Sequence, residues 1–261
     1  MITTNQLSYG VAVLVILPPS ETKSDGGRGA PLDLDTLSFP ELNPVRKQVA
    51  EALVALAADL EASRTALGLG ATQLDEVDRN ADLWLSPTRP ALERYTGVLY
   101  DALDLGDLTP GQRRRANRWL VVVSALFGAV RPTDRIPPYR LSMAVNLPGV
   151  GPLAGHWRPA LDGELTAAAG TGLVVDCRSS TYAAAWTPTG ETARRWVHIR
   201  VPGATHMAKH TRGLVARHLL GVDREPRTPA ALARALEPAF DVALTEPARP
   251  GQPWVLDTTV R

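Results

Sequence analysis

Val11-Ala-Val-Leu-Val-Ile-Leu17, closed abruptly by Pro18-Pro19, is the stretch that decides the fold. It is continuous, apolar and rich in β-branched residues, the pattern of a strand covered on both faces. It is far too short to span a bilayer. No Lys or Arg precedes it and no small-residue cleavage site follows, so it does not read as a signal segment. A strand buried on both sides implies a sheet between layers of helix, which places the chain in the α/β class.

Three more runs fit the same sheet: Trp119-Leu-Val-Val-Val-Ser124, Leu173–Asp176 and residues 196–201. Residues 240–245 and 254–257 read as an antiparallel pair across a Pro- and Gly-containing loop. Helical spacing lies between these runs. Asn43 is expected to cap a helix beginning at Pro44, carrying Val45, Val49, Leu53, Leu56 and Leu60 and stopped by Gly68. A second helix is expected from Pro90 through Leu103, a third from Thr109-Pro110, a fourth from Ala208 to a stop at Gly221, and a fifth from Thr228-Pro229. No internal repeat and no linker-like segment divides the 261 residues, so residues 1–261 read as one domain.

Lys plus Arg number 28 against 27 Asp plus Glu, a net charge of +1, so any basic surface is local rather than global. The predominance of Arg over Lys suits bidentate contacts to phosphate and equally reflects a GC-rich genome. A single cysteine, Cys177, leaves no internal disulfide framework or multi-cysteine metal site and fits a reducing cytosol. Among the five histidines, no pair has the His-Glu-x-x-His arrangement. His206 and His210 share a four-residue spacing but make a weak case for zinc, so no metal or other cofactor is expected.

Four separated segments carry groups suited to chemistry. Pro18-Pro-Ser-Glu-Thr-Lys-Ser-Asp-Gly-Gly27 follows the first strand, where α/β sheets bind ligands, yet it lacks the Gly-Lys-Ser/Thr order of a Walker loop. Its alternative reading is a solvated loop. Ser124 to Met143 contains Arg131, Asp134, Tyr139 and Arg140, held by prolines either as a polar site or as an ion-pair network. Asp176, Ser179 and Tyr182 stand at three-residue steps and project from one face if a helix begins near Asp176; otherwise Asp176 is a plain helix cap. Lys209 and Arg212 near a helix start either meet an anion or are simply solvated.

In order and content these segments, together with Tyr95-Thr-Gly-Val-Leu-Tyr100 and Lys209-x-x-Arg-Gly213, resemble the YaaA family of peroxide-stress proteins. The most specific shared elements are Leu126-Phe-Gly-Ala-Val-Arg-Pro-Thr-Asp134 and Pro138-Tyr-Arg140. The resemblance implies a compact single-domain fold with a central mixed sheet, flanking helices and a helix-hairpin-helix-like element. It also implies a positively charged cleft, DNA binding and a cytosolic role limiting oxidative damage.

Mapped by motif, that cleft uses Ser20, Lys23, Arg131, Arg140, Ser179 and Arg212 to hold phosphate, with Asp134, Tyr139, Asp176, Tyr182 and Lys209 as candidates for chemistry. The chain departs from the family in placing Glu21 where many members have Lys, and Asp176 where many have Asn. The hairpin element falls at Leu67-Gly-Leu-Gly70, ahead of the competing Leu147-Pro-Gly-Val-Gly-Pro-Leu-Ala154.

Two functions follow as expectations. One is binding of the DNA backbone without base readout. The other is an enzyme acting on a nucleotide, nucleobase or similar anion, with Asp134 or Asp176 as base, Tyr139 or Tyr182 as proton donor, arginine clamps, and a buried Lys209 as a nucleophile. Both require Ser20, Arg131 and Asp176 to lie at one rim of the sheet. Oligomeric state is not legible in the sequence.

Overall fold

The computed structural model describes residues 13–203 and 207–261. Val11, Ala12 and His206, which figure in the expectations above, lie outside the described residues. The first apolar run forms strand β1, Val13–Leu17, with every residue buried. Successive side chains of a strand point to opposite faces, so complete burial requires cover on both. Helices α6 (Pro110–Trp119) and α7 (Leu153–Ala169) both pack on it.

Strand β2 is Leu120–Ser124, β3 Gly128–Val130, β4 Leu173–Asp176, β5 Trp196–Arg200, β6 Phe240–Thr245 and β7 Trp254–Val260. They form one seven-stranded sheet in the order β6-β7-β5-β4-β1-β2-β3. The inner five strands are parallel and the two edge strands are antiparallel, a mixed α/β sheet as expected. The register Val15↔Val175 and Val15↔Leu120 places the ends of β4 and β2 on either side of the end of β1. The polar segments after β1 and β4 therefore emerge side by side.

The first expected helix is two helices. α1, Asn43–Ala57, ends where Asp59 caps α2, Leu60–Leu67, by accepting from the Ala62 amide at 3.0 Å. Asn43 does not cap α1. It is the first helical residue, its side chain donating to Asp35 and accepting from Arg46. Gly68, at φ +63°, ends α2 rather than one long helix, and a short turn leads into α3, Asp75–Ala81.

The helix expected from Pro90 is likewise split into α4, Ala91–Arg94, and α5, Val98–Leu103. Between them Tyr95 is drawn into a bridge with Lys23, and Gly97 takes φ +96°. Thr109 caps α6 through a capping box with Gln112, and Trp119 closes that helix rather than opening β2.

Short helices α8, Ser180–Ala183, and α9, Gly190–Ala193, precede α10, Met207–Gly221, and α11, Pro229–Leu236. α7 has no counterpart among the expected helices. The segment 147–154 is a β-hairpin pairing Asn146–Leu147 with Gly151–Pro152. It is flanked by strands and feeds α7.

Candidate functional site

The parallel strands run their carboxyl ends to one edge, and the segments leaving that edge build a cleft of about 690 Å³. Pro18 to Thr22 after β1 form one wall, Cys177, Ser179, Thr181 and Tyr182 after β4 form the next, and Lys209 and Arg212 on α10 follow. Residues 97–100 at the start of α5 line it as well, with Ser142 and Ala144.

Two glycines make this enclosure possible. A Cβ on Gly213 would stand 2.2 Å from the Leu99 carbonyl oxygen, so only glycine lets α10 pack so closely on α5. Gly97 sits at positive φ, and a Cβ there would crowd the hydroxyls of Ser20 and Thr22 at 3.3 and 3.2 Å. These hydroxyls form a small network, Ser20 with Thr22 at 3.2 Å and Thr96 donating to Thr22 at 3.2 Å.

Lys209 and Arg212 supply the cleft's cations. Arg212 is anchored, its Nε donating to the Ile199 carbonyl at 3.1 Å. Lys209 is exposed, contrary to the expected buried nucleophile. The buried lysine is Lys23, 7% exposed, whose Nζ donates to the carbonyls of Ser20 at 2.9 Å and Glu21 at 3.3 Å. Burial pulls its pKa from 10.5 down to about 7, against the opposing pull of Glu21 and Glu76. Lys23 thus lies behind the cleft wall and fixes its backbone.

Ser20, Ser179, Tyr182, Lys209 and Arg212 are brought together around the cleft, and the other expected residues are placed elsewhere. Arg131 is at the opposite end of the sheet: the tight turn after β2 reverses the chain, and its guanidinium donates to the Arg118 and Leu120 carbonyls at the start of β2. The expectation of a common rim for Ser20, Arg131 and Asp176 fails for Arg131 on that account.

Asp134 goes with Arg131, accepting from the Arg131 amide at 2.8 Å and from the Ser38 amide and hydroxyl at 3.1 and 2.8 Å. It organises a loop rather than acting as a base. Tyr139 is buried, its hydroxyl between Tyr95 at 2.9 Å and Ser124 at 2.8 Å. Arg140 meets Glu21 at 3.2 Å. Arg140 and Glu21 border a second groove, lined also by Thr65 to Gly68 at the end of α2, which shares Glu21, Ser142 and Ala144 with the cleft.

Asp176 lies at the carboxyl edge but is fully buried and does not line the cleft. Its partner is Arg178, which sequence reasoning passed over. The guanidinium donates to both carboxylate oxygens at 2.9 and 2.7 Å, and Trp196 Nε1 donates at 3.0 Å. Burial alone would raise the Asp176 pKa, but the charge and hydrogen bonds of Arg178 bring it below the ordinary value. Asp176 is neither a helix cap nor a candidate base. α8 begins only at Ser180, and of the three-residue series Ser179 and Tyr182 line the cleft while Asp176 does not.

Cys177 also lines the cleft wall, yet burial pushes its thiol up to about 12. Burial outweighs the opposing pull of the nearby Arg212, so it is held as a thiol at neutral pH and lacks the exposure of a reactive thiolate. Ser142 and Thr181 also line the cleft; both lie inside segments the sequence singles out, 124–143 and 175–182, but were not among the residues expected to serve the site.

Comparison with known proteins places this arrangement in a family. Residues 13–242 match the family described as peroxide stress protein YaaA. The chain is 49% identical over 256 residues to a UPF0246 protein of Streptomyces coelicolor, covering 95% of this chain and 98% of that one. It is 40% identical over 229 residues to a UPF0246 protein of Corynebacterium efficiens, covering 85% and 90%. A UPF0246 protein of Corynebacterium glutamicum is 38% identical over 224 residues, covering 83% and 88%. The chain belongs to the peroxide stress protein YaaA family.

Proposed function

We propose that the protein acts in peroxide stress by holding DNA through its phosphates, with the carboxyl-edge cleft as the point of contact. The observation that carries this reading is the convergence of Lys209 and Arg212 with the hydroxyls of Ser20, Thr22, Ser142, Ser179 and Thr181 around one cleft. Cations and short hydroxyl side chains at strand ends are the groups that position phosphate without reading base sequence.

The turn between α2 and α3 supports the same reading as a helix-hairpin-helix-like element, since the end of α2 borders the groove that adjoins the cleft. Its occupant there would be a neighbouring phosphate. The buried, thiol-form Cys177 argues against protection by direct reaction with peroxide. A cytoplasmic location goes with this reading and fits the single cysteine; among the described residues no helix is long and apolar enough to cross a membrane.

The test is the salt dependence of DNA affinity. Affinity should fall steeply with added salt and vary little with base sequence, and Lys209→Ala or Arg212→Ala should each reduce the slope of log affinity against log salt by about 1. Salt-independent binding, or slopes unchanged in both variants, would remove the cleft from DNA recognition.

One observation favours a second reading, an enzyme acting on a nucleotide or related anion: the cations stand in a walled pocket of about 690 Å³ rather than on an open basic stripe. Turnover of a nucleotide by the wild-type chain that is lost in Arg212→Ala would select it.

A further inference from the structure

We infer that the arginine-lined groove between α6 and the end of α10 is a second contact for the DNA backbone, separate from the cleft and at the opposite edge of the sheet. The inference goes beyond the reading of the cleft and rests on it only for the identity of the polyanion.

The sequence concentrates charge at this place. A chain of net charge +1 carries Arg113, Arg114, Arg115 and Arg118 on the ten residues of α6, with no acid among them. Three of these arginines follow directly on the first turn, near the positive end of the helix dipole. Arg114 and Arg118, four residues apart, repel each other along one face. Helix stability is therefore not what these side chains serve.

Trp119 closes α6 directly before β2 begins, and α10 runs back from the carboxyl edge, so α6 meets the end of α10 toward the amino edge. Arg115 joins them, donating to the Leu220 and Val222 carbonyls at 2.9 and 2.6 Å. The groove beside them measures about 710 Å³, with Arg114, Arg115 and Arg118 on one side and Gly221 to Asp223 on the other. The Arg115 and Arg118 guanidiniums lie 5.0 and 5.9 Å from the centroid of the buried Trp119 ring, which helps to order them. Arg114 is exposed, and among the described residues only Arg118 of the α6 arginines forms an ion pair, with Glu225.

The lining decides which partner fits. Apart from Val222 and the buried Leu220, every residue of the groove is polar or glycine. A protein partner would find no apolar anchor there, whereas a phosphate chain needs none. Arg114 and Arg118 stand about 6 Å apart in helix rise, a span that covers successive phosphates of one strand, which recur every ~3.4 Å of duplex axis. Asp223 and Glu225 oppose the contact and keep it weak and salt-sensitive. Arg212 lines the cleft near the start of α10 and Gly221 lines the groove at its end, about 14 Å of helix apart. No single phosphate meets both, so the two contacts should contribute additively.

The experiment titrates the full chain with one DNA duplex at several salt concentrations. Arg114→Ala/Arg118→Ala should weaken binding at least ~3-fold at low salt and reduce the slope of log affinity against log salt by about 2. That loss should add to the loss in Lys209→Ala/Arg212→Ala. Lys47→Ala/Arg249→Ala removes the same charge from exposed positions elsewhere and should leave the slope unchanged. Glu225→Gln frees Arg118 and should raise affinity by ~2- to 5-fold, a gain that misfolding cannot produce.

A slope unchanged in Arg114→Ala/Arg118→Ala, or lowered equally by the control pair, would overturn the inference. The reading of the cleft would then be judged separately, on the Lys209 and Arg212 variants. Absence of duplex binding by the wild-type chain would overturn both.

Discussion

The Lys23 ammonium lies 4.1 Å from the centroid of the Tyr139 ring, inside the protein and directly behind the loop that forms the cleft wall. The ring face stabilises the cation, and the Ser20 and Glu21 carbonyls accept its protons, yet burial still dominates and draws the pKa to about 7. The unfolded chain holds this proton up to its ordinary pKa of 10.5.

Between these two values the unfolded state binds more protons than the folded state, so stability rises with pH from about 7 toward 10.5. Lys23→Met should flatten that rise, a difference on the order of 3 kcal/mol between neutral pH and pH ~10. Chemical denaturation of both proteins across this range checks it; parallel curves would mean that Lys23 keeps its ordinary pKa. Above pH ~10 the buried tyrosines Tyr95, Tyr100, Tyr139 and Tyr182, whose pKa values burial raises, reverse the slope in both proteins.

Asp176 and Arg178 form a fully buried pair, and loss of one charge leaves the other stranded. In Asp176→Asn an amide nitrogen in place of Oδ2 would face two donors, Arg178 Nη2 and Trp196 Nε1. The expected cost is about 3–5 kcal/mol, read as a lowered denaturation midpoint. Because the Asp176 pKa is depressed, its contribution is present above the unfolded value of 3.8 and is lost as pH falls through the lower folded value. A variant of unchanged stability would refute the structural role.

The central strands were legible because the runs at 13–17, 120–124 and 173–176 are apolar and β-branched and each ends in a polar segment, whereas the edge strand Gly128–Val130, only three residues long, was read as part of a turn. From that pattern the carboxyl-edge loops, and with them Ser20, Ser179 and Tyr182, could be placed together. Arg131 could not, because the reversal after β2 leaves no mark in periodicity; the strand pairing decides which end of the sheet a residue occupies.

α7 escaped because Gly155, Pro159 and Gly163 interrupt it, although Leu153, Trp157, Leu161, Leu165 and Ala169 fall at four-residue steps and are all buried. The exchange of burial between Lys23 and Lys209 is tertiary in the same sense. Lys23 is covered by the Tyr95 and Tyr139 rings, which are 72 and 116 residues away in the chain.

Glu21 borders both the cleft and the groove beside α2, and its carboxylate stands 3.2 Å from Arg140. A negative charge there opposes an incoming phosphate and at the same time occupies a cation that could receive one. Glu21→Gln removes the charge while nearly preserving shape. Affinity for an anionic ligand should rise by roughly fivefold, about 1 kcal/mol, the scale of a unit charge a few ångströms away in a solvated cleft.

The salt dependence should steepen as Arg140 becomes available. Adding Arg140→Ala should abolish the steepening and part of the gain, because the cation released by the first change is then missing. Titration of the three variants with one oligonucleotide at several salt concentrations measures both effects. Unchanged or weaker binding by Glu21→Gln would mean that the pair holds the cleft wall in its binding-competent shape, and that Glu21 serves geometry rather than opposing charge.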